Sequence, residues 1–311
     1  MKKMFGLIIV LVFSVFVLGV KVGITQIVDH PALNALTQGV IDVLNSFDSS
    51  VEIEIQNAQG VFQNTINIAK KFKTDVDFIV AVSTPSAQSC QTEIKDKPII
   101  FSAVTDPVSA GLVSHMGKNS GNITGISDML PVGVHLGLIK KLIPTAKKIG
   151  IVYNPGESNS VALAELTKSY SKSLDFEIVD MTGSNVNELI TAYNSKRDLV
   201  DTVYLFTDNL VASSGEILGK LFEKDNMPVI AGDISIAKST SFIGFGFDYY
   251  KLGTETGKML VEIIKGKKVQ DTESQFMSSD SLSLFINMKK AKNLGINIPA
   301  ELIKKADEVV E

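Results

Sequence analysis

The chain has 311 residues, 45% of them hydrophobic, which is enough for two ordinary domains with real cores. Its formal charge of −4 sets 30 lysines and arginines against 34 aspartates and glutamates, and the lysines are scattered rather than clustered. That balance excludes an electrostatic surface for nucleic acid or an anionic membrane and argues against a polyanionic ligand.

Lys2 and Lys3 precede an uncharged apolar run from Met4 to Leu18, with Val17 and Gly19 at the spacing a signal peptidase reads. The run is shorter than the ~20 residues of a membrane-spanning helix. The expectation is a secretory signal peptide over residues 1–19, cleaved near Gly19, which leaves 28 basic against 34 acidic residues and a net charge of −6. The single cysteine, Cys90, lies well inside the chain. It can neither carry a lipid at the cleavage point nor form an internal disulfide, and it reads as a small buried residue on a helix.

Lys21 to Val28, KVGITQIV, reads as a strand, and HPALNALTQGVIDVLN after it as a helix. VEIEIQNA, DFIVAVSTPSA and KPIIFSAVTDP supply further strands, each followed by helical or turn signals. The order recurs from Lys148, with KIGIVYN, FEIVDMTG, DTVYLFTDNLVAS and MPVIAGDIS as strands. Val22 and Ile149 are 127 residues apart, Asp77 and Asp201 124, and Pro98 and Pro228 130, so an internal duplication is the economical account. Alternating strands and helices predict an α/β fold of two doubly wound parallel-sheet domains, joined by a hinge near GNITGISDMLP, where glycines and a proline interrupt the pattern. After the second half, FIGFGFDYYKLGTETGKMLVEIIKG fits neither repeat and reads as a chain crossing back, and LSLFINMKKAKNLGINIP crosses again. The expected lobes are residues 20–126 with 246–277, and 127–245 with 278–311.

In such sheets ligands sit beyond the carboxyl ends of the strands. The residues there are Gln26, Ile27 and His30; Thr84, Ser86 and Ala87; Thr105 and Asp106; then Asn154, Ser158 and Asn159; Asp208 and Asn209; and Asp233. No histidine pair at ligand spacing and no Ser-His-Asp grouping stands among them, so neither a metal site nor a hydrolytic centre is expected, and no cofactor is implied. Thr84 before Pro85 reads as a helix N-cap, leaving amides near Ser86 and Ala87 free beside two hydroxyls, which makes a carboxylate seat. Asp208 and Asp233 offer negative charge to an ammonium group, and burying either charge unpaired costs several kcal/mol, so a zwitterion such as an amino acid fits. Thr84 and Asp208 would serve equally well as helix caps, and Asp106 before Pro107 as a turn starter. Phe247, Tyr249 and Tyr250, with Asp248 among them, place aromatic rings beside the crossing strand, either to cover an apolar ligand group or to pack the core.

Taken together, VGITQIVDHPALNALTQG, STPSAQ, AVTDPVSAGLV, NITGISDMLP, YNPGESNS, TDN, AGD and GFDYYKLGTETGKM resemble the substrate-binding proteins of the ABC transporter family whose tryptophan- and tyrosine-binding members have the type I periplasmic-binding fold. The resemblance runs in order from about Val22 to the C-terminus. It implies a bilobed, monomeric receptor that closes on a small ligand and delivers it to a membrane permease with its ATPase. By the same resemblance the STPSA segment and Thr105 would hold a ligand carboxylate, Asn154 and Asn159 would reach across from the other lobe, Asp208 and Asp233 would meet the amine, and Phe247 and Asp248 would sit at the hinge side of the cleft. Two departures stand out: Ser86 occupies a position where alanine is usual, and the lipoprotein cysteine of many relatives is absent, which points to a periplasm. The alternatives are a periplasmic sensory receptor presenting its closed form to a membrane signalling protein, the effector-binding core of a transcription regulator, disfavoured by the signal peptide, and an enzyme, for which no nucleophile or base stands out.

Overall fold

The computed structural model describes residues 19–311; the expected signal peptide, apart from Gly19, lies outside the described residues. In chain order the first part comprises β1 (Lys21–Gln26), α1 (Pro31–Phe47), β2 (Glu52–Asn57), α2 (Phe62–Asp75), β3 (Phe78–Val82), α3 (Thr84–Glu93), β4 (Ile99–Ser102) and β5 (Ile123–Ser127). The second part comprises α4 (Val132–Leu142), β6 (Lys148–Tyr153), α5 (Ser158–Ser171), β7 (Glu177–Thr182), α6 (Val186–Lys196), β8 (Thr202–Leu205), α7 (Asn209–Ser213), α8 (Gly215–Lys224), β9 (Val229–Ala231), α9 (Ile234–Thr240) and β10 (Ile243–Phe247). α10 (Tyr249–Ile264), β11 (Gln275–Phe276), β12 (Leu282–Asn287), α11 (Met288–Asn293), α12 (Ala300–Ile303) and β13 (Glu308–Val310) complete the chain.

These strands form two sheets, of order β11-β5-β4-β3-β1-β2 and β13-β12-β10-β9-β8-β6-β7. Among the described residues all strand pairings are parallel except that of β10 with β12. The central strands IIFS and FIVAV are buried almost throughout, because helices cover both faces of a parallel sheet. The edge strands β2 and β7 are instead partly exposed and carry Glu52, Glu54, Glu177 and Asp180, charges that discourage pairing with another chain. In each sheet the order reverses around the first strand of the repeat, between β1 and β3 and between β6 and β8, which opens a crevice at the carboxyl ends of those strands.

Where the hinge was expected, Ile123–Ser127 instead forms β5, a fully buried strand in register with β4. Its glycine is a packing requirement rather than an interruption, because a Cβ on Gly125 would sit 2.0 Å from the Phe101 carbonyl oxygen. Ser127 pairs with Phe276 in the first sheet and Phe247 with Leu282 in the second. The chain therefore passes between the sheets after Ser127 and after Phe247, and once more between β11 and β12. Beyond the second crossing α10 lies on α1, so closely that a Cβ on Gly253 would meet the Leu36 carbonyl oxygen at 2.0 Å. Ser102 and Thr256 hydroxyls, 2.7 Å apart, join it to the end of β4. A helix late in the sequence thus braces the first sheet.

Candidate ligand-binding site

In the first lobe the ends of β3 and β4 are strained. Ser83 and Ala103, neither of them glycine, have φ of 78° and 53°, left-handed values that persist only where the surroundings enforce them. The register of Val82 opposite Ser102 puts these two turns side by side, and the Ser83 amide donates to the Ser102 carbonyl at 2.9 Å. The helix α3 begins one residue earlier than its sequence suggests. Ser83, not Thr84, is its N-cap, and Ser83 makes no side-chain capping bond. The Ala87 amide donates to the Ser83 carbonyl at 3.1 Å, so it is not free as expected. Three hydroxyls are available: Ser83 Oγ, Thr84 Oγ1 and Ser86 Oγ are all buried without a hydrogen-bond partner.

The second lobe presents acids. Asp208 caps α7, accepting from the Val211 amide at 2.8 Å, and its other oxygen accepts from the Asn154 amide at 2.8 Å and Ser160 Oγ at 2.6 Å. Asp233 caps α9 through one oxygen, which accepts from the Ile236 amide at 2.9 Å and Ser235 Oγ at 2.6 Å. Glu157 accepts from the Asn154 side-chain amide at 3.3 Å and from that of Asn209. Burial, reinforced by the nearby charge of Asp208, pushes the Glu157 carboxyl up to about 8, and burial also raises Asp208. Asn159 donates to Ser160 Oγ at 3.2 Å while its Oδ1 is buried without a partner.

A narrow cavity of about 20 Å³ lies between the lobes. Of the residues expected from sequence, Thr105, Asn159, Asp208 and Asp233 line it. Asp128 and Thr207 are not among the residues expected from sequence; Tyr249 is expected only as a ring covering an apolar ligand group or packing the core, and His30 and Asn209 only as strand-end residues. Asp128 lay hidden in the presumed linker; its carboxylate accepts from Thr105 Oγ1 at 3.1 Å and Tyr249 OH at 2.7 Å. His30 of the first lobe meets Asn209 of the second at 3.5 Å, and Gln88 donates to Ser158 Oγ across the rim at 3.3 Å. The lobes are thus closed, and about one water would fill the space, so an amino acid needs them or their side chains to part further.

The other expected residues stand apart from this cavity. Gln26 is saturated within its own lobe, donating to Asp29 and Asn34 and accepting from Thr37, and Ile27 is part of the core. Asp106 turns onto its own loop, accepting from the Val108 and Ser109 amides and Ser109 Oγ. Asn154 folds its Oδ1 onto the Gly156 amide at 2.9 Å. Asp248 caps α10 through the Lys251 amide and, with Phe247, borders a groove of about 1080 Å³ that adjoins the cavity at His30, Ala212 and Tyr249. Among the described residues no lysine or arginine lines the inter-lobe cavity, while three carboxylates do, and His30, the remaining basic side chain, is held towards its neutral form by burial.

The profile described as ABC transporter substrate binding protein matches residues 21–310. A tyrosine-binding protein from Clostridioides difficile is 38% identical over 299 residues, spanning 93% of this chain and 85% of its own length. The crystal structure of an ABC domain in complex with L-Trp from Streptococcus pneumonia, 31% identical, covers 94% of this chain and 100% of its own with a TM-score of 0.90. The ligand-free, open structure of a substrate-binding protein from Clostridium difficile is more similar in sequence, 37%, over 93% of this chain and 99% of its own, yet superposes with a TM-score of only 0.70. The chain belongs to the ABC transporter substrate-binding protein family, and its two sheets form the two lobes of a type I periplasmic-binding fold.

Proposed function

We propose that this protein is the extracytoplasmic receptor of an ABC importer, free in the periplasm once residues 1–19 are removed, and that it holds an aromatic or apolar L-amino acid between its lobes for a permease and its ATPase. One observation carries the reading: unpaired buried hydroxyls gather at the first turn of α3, while Asp128, Asp208 and Asp233 line the inter-lobe cavity with no lysine or arginine beside them among the described residues. A buried hydroxyl without a partner costs roughly 1–3 kcal/mol, and buried carboxylates cost more. A ligand with a carboxylate at one end and an ammonium at the other relieves both. Ser83, Thr84 and Ser86 take the carboxylate, aided by the positive end of α3. Asp233 takes the ammonium with its uncapped oxygen, Asn159 Oδ1 adds an acceptor, and Asp208 holds the surrounding loops in place.

The relatives that bind tyrosine and L-Trp support the choice of side chain. The better superposition on the L-Trp complex than on the open, ligand-free chain, against the order of sequence identity, supports closure by lobe rotation: a ligand bridging both half-sites shifts the population to the closed form by its differential affinity. The test is a thermal-shift screen of residues 20–311 against the twenty amino acids, sugars, nucleosides and short peptides. A ligand at 100 times its dissociation constant stabilises by about 2.7 kcal/mol. Shifts confined to tryptophan, tyrosine, phenylalanine or aliphatic amino acids are the expected outcome; shifts with sugars or nucleosides alone overturn the zwitterion assignment.

A further inference from the structure

We infer that Asp128 makes closure of the lobes depend on the ligand's amine, acting with Asp233 as a pair of facing carboxylates that a cation between them holds together. This rests on the amino-acid reading above and adds to it the residue through which the amine is sensed. Three observations carry it. First, Asp128 stands at the first crossing, one residue beyond β5, and its side chain joins three parts of the molecule: Thr105 beyond β4 donates to one oxygen at 3.1 Å, and Tyr249, the first residue of α10 at the second crossing, donates to the other at 2.7 Å. Both donors are neutral hydroxyls, and each oxygen keeps a second acceptor site for an N–H.

Second, Asp233 comes from the opposite lobe and lines the same cavity, and both acids are 2% exposed. One of its oxygens is committed to α9; the other has no hydrogen bond among the described residues. Third, no described residue of the lining neutralises the two acids. His30 is the sole basic side chain among them and burial disfavours its charged form, while Asp208 and, behind it, Glu157 add further carboxyls on the second-lobe side. Closing the cleft without a cation therefore presses like charges together in a desolvated space. A ligand carboxylate alone could dock at the first turn of α3 in the open form, but it would leave that repulsion in place. An ammonium bridging Asp128 and Asp233 removes it, and because Asp128 is bonded to the start of α10 the same contact stiffens both crossings in the closed position.

The test titrates residues 20–311, as wild type, Asp128→Asn and Asp233→Asn, with L-tyrosine, L-tryptophan and their desamino counterparts 3-(4-hydroxyphenyl)propionate and indole-3-propionate. Affinity is read by calorimetry and closure by the radius of gyration in solution scattering. The wild type should prefer whichever of the two amino acids it binds over its desamino form by about 100-fold or more, and contract only with the amino acid. Asp128→Asn should lower that preference by about 10-fold or more, through weaker amino-acid binding together with a desamino affinity that rises as one of the two like charges is removed, in keeping with the loss of a charged hydrogen bond; Asp233→Asn should do the same from the other lobe. Should Asp128→Asn fail to fold, Tyr249→Phe carries the test, lowering the preference several-fold by loosening Asp128. A folded Asp128→Asn, or failing that a Tyr249→Phe, with an unchanged preference overturns the role of Asp128 and leaves the receptor reading intact. A wild type that binds neither amino acid overturns both.

Discussion

At the carboxyl end of β3 the first lobe carries buried hydroxyls that have nothing to bond, whereas at the ends of β8 and β9 the second carries carboxylates already bonded to their own helices. Ser83, Thr84 and Ser86 are buried and unpaired; Asp208 and Asp233 cap α7 and α9. Both lobes grew from one alternating pattern, so the difference lies in the residue set at the carboxyl end of each strand. A serine left uncapped at a helix start leaves donors for an anion, while an aspartate at the same topological position consumes those donors itself and presents net negative charge. Two sheets of like strand order supply two half-sites, and the cap residue sets the character of each.

The two kinds of half-site should respond differently to mutation. The largest expected effect is on Asp208: replacing it with alanine strands the Asn154 and Val211 amides and the Ser160 hydroxyl, and should cost about 3 kcal/mol of folding stability, read by denaturant unfolding. A stability change below about 1 kcal/mol with binding abolished would mean that Asp208 is chiefly a ligand contact. Next comes the first-lobe pair Thr84→Val with Ser86→Ala, expected to weaken amino-acid binding by about 30- to 100-fold while the ligand-free protein stays as stable or gains, since two unsatisfied hydroxyls are removed. Melting that drops along with affinity would show these hydroxyls to be structural.

Glu157 gives an intermediate effect with a definite sign. Its folded value of about 8 lies above the ordinary 4.5, so its stabilising contribution is complete below pH 4.5 and is lost as the pH rises towards 8. His135, held down to about 4 by burial, works oppositely, but its contribution is already complete above 6.5. Between pH 6.5 and 8 the ligand-free protein should therefore lose about 2 kcal/mol from this carboxyl, and Glu157→Gln should flatten the profile over that window. A wild-type profile that rises there would contradict a neutral Glu157. The smallest effect belongs to Asp106→Ala, whose carboxylate serves an exposed turn: below about 1 kcal/mol in stability, and none in a binding titration.

The fold was legible because periodicity and strand-ending chemistry are local. KPIIFSAVTDP ends a buried strand on Thr105, and that hydroxyl does line the cavity. The cap at Ser83 was missed by one residue, since Thr-Pro is the stronger local signal for a helix start. The partners made by the crossings could not be read locally. Asp128 and Tyr249 are bonded across 121 residues of chain, and neither looks unusual in GISDMLP or DYYKLG. Gly125 misled for a related reason: it reads as a break until the Phe101 carbonyl that requires it is brought alongside.

Whether the cleft is built for a zwitterion is tested most directly by titrating residues 20–311 with L-tryptophan, tryptamine and indole-3-propionate in one calorimetric series. Tight binding of the amino acid is expected, with losses of about 100-fold or more for both truncated ligands, because each leaves one half-site with buried groups unpaired. Tryptamine or indole-3-propionate binding as tightly as tryptophan would contradict a cleft of that kind.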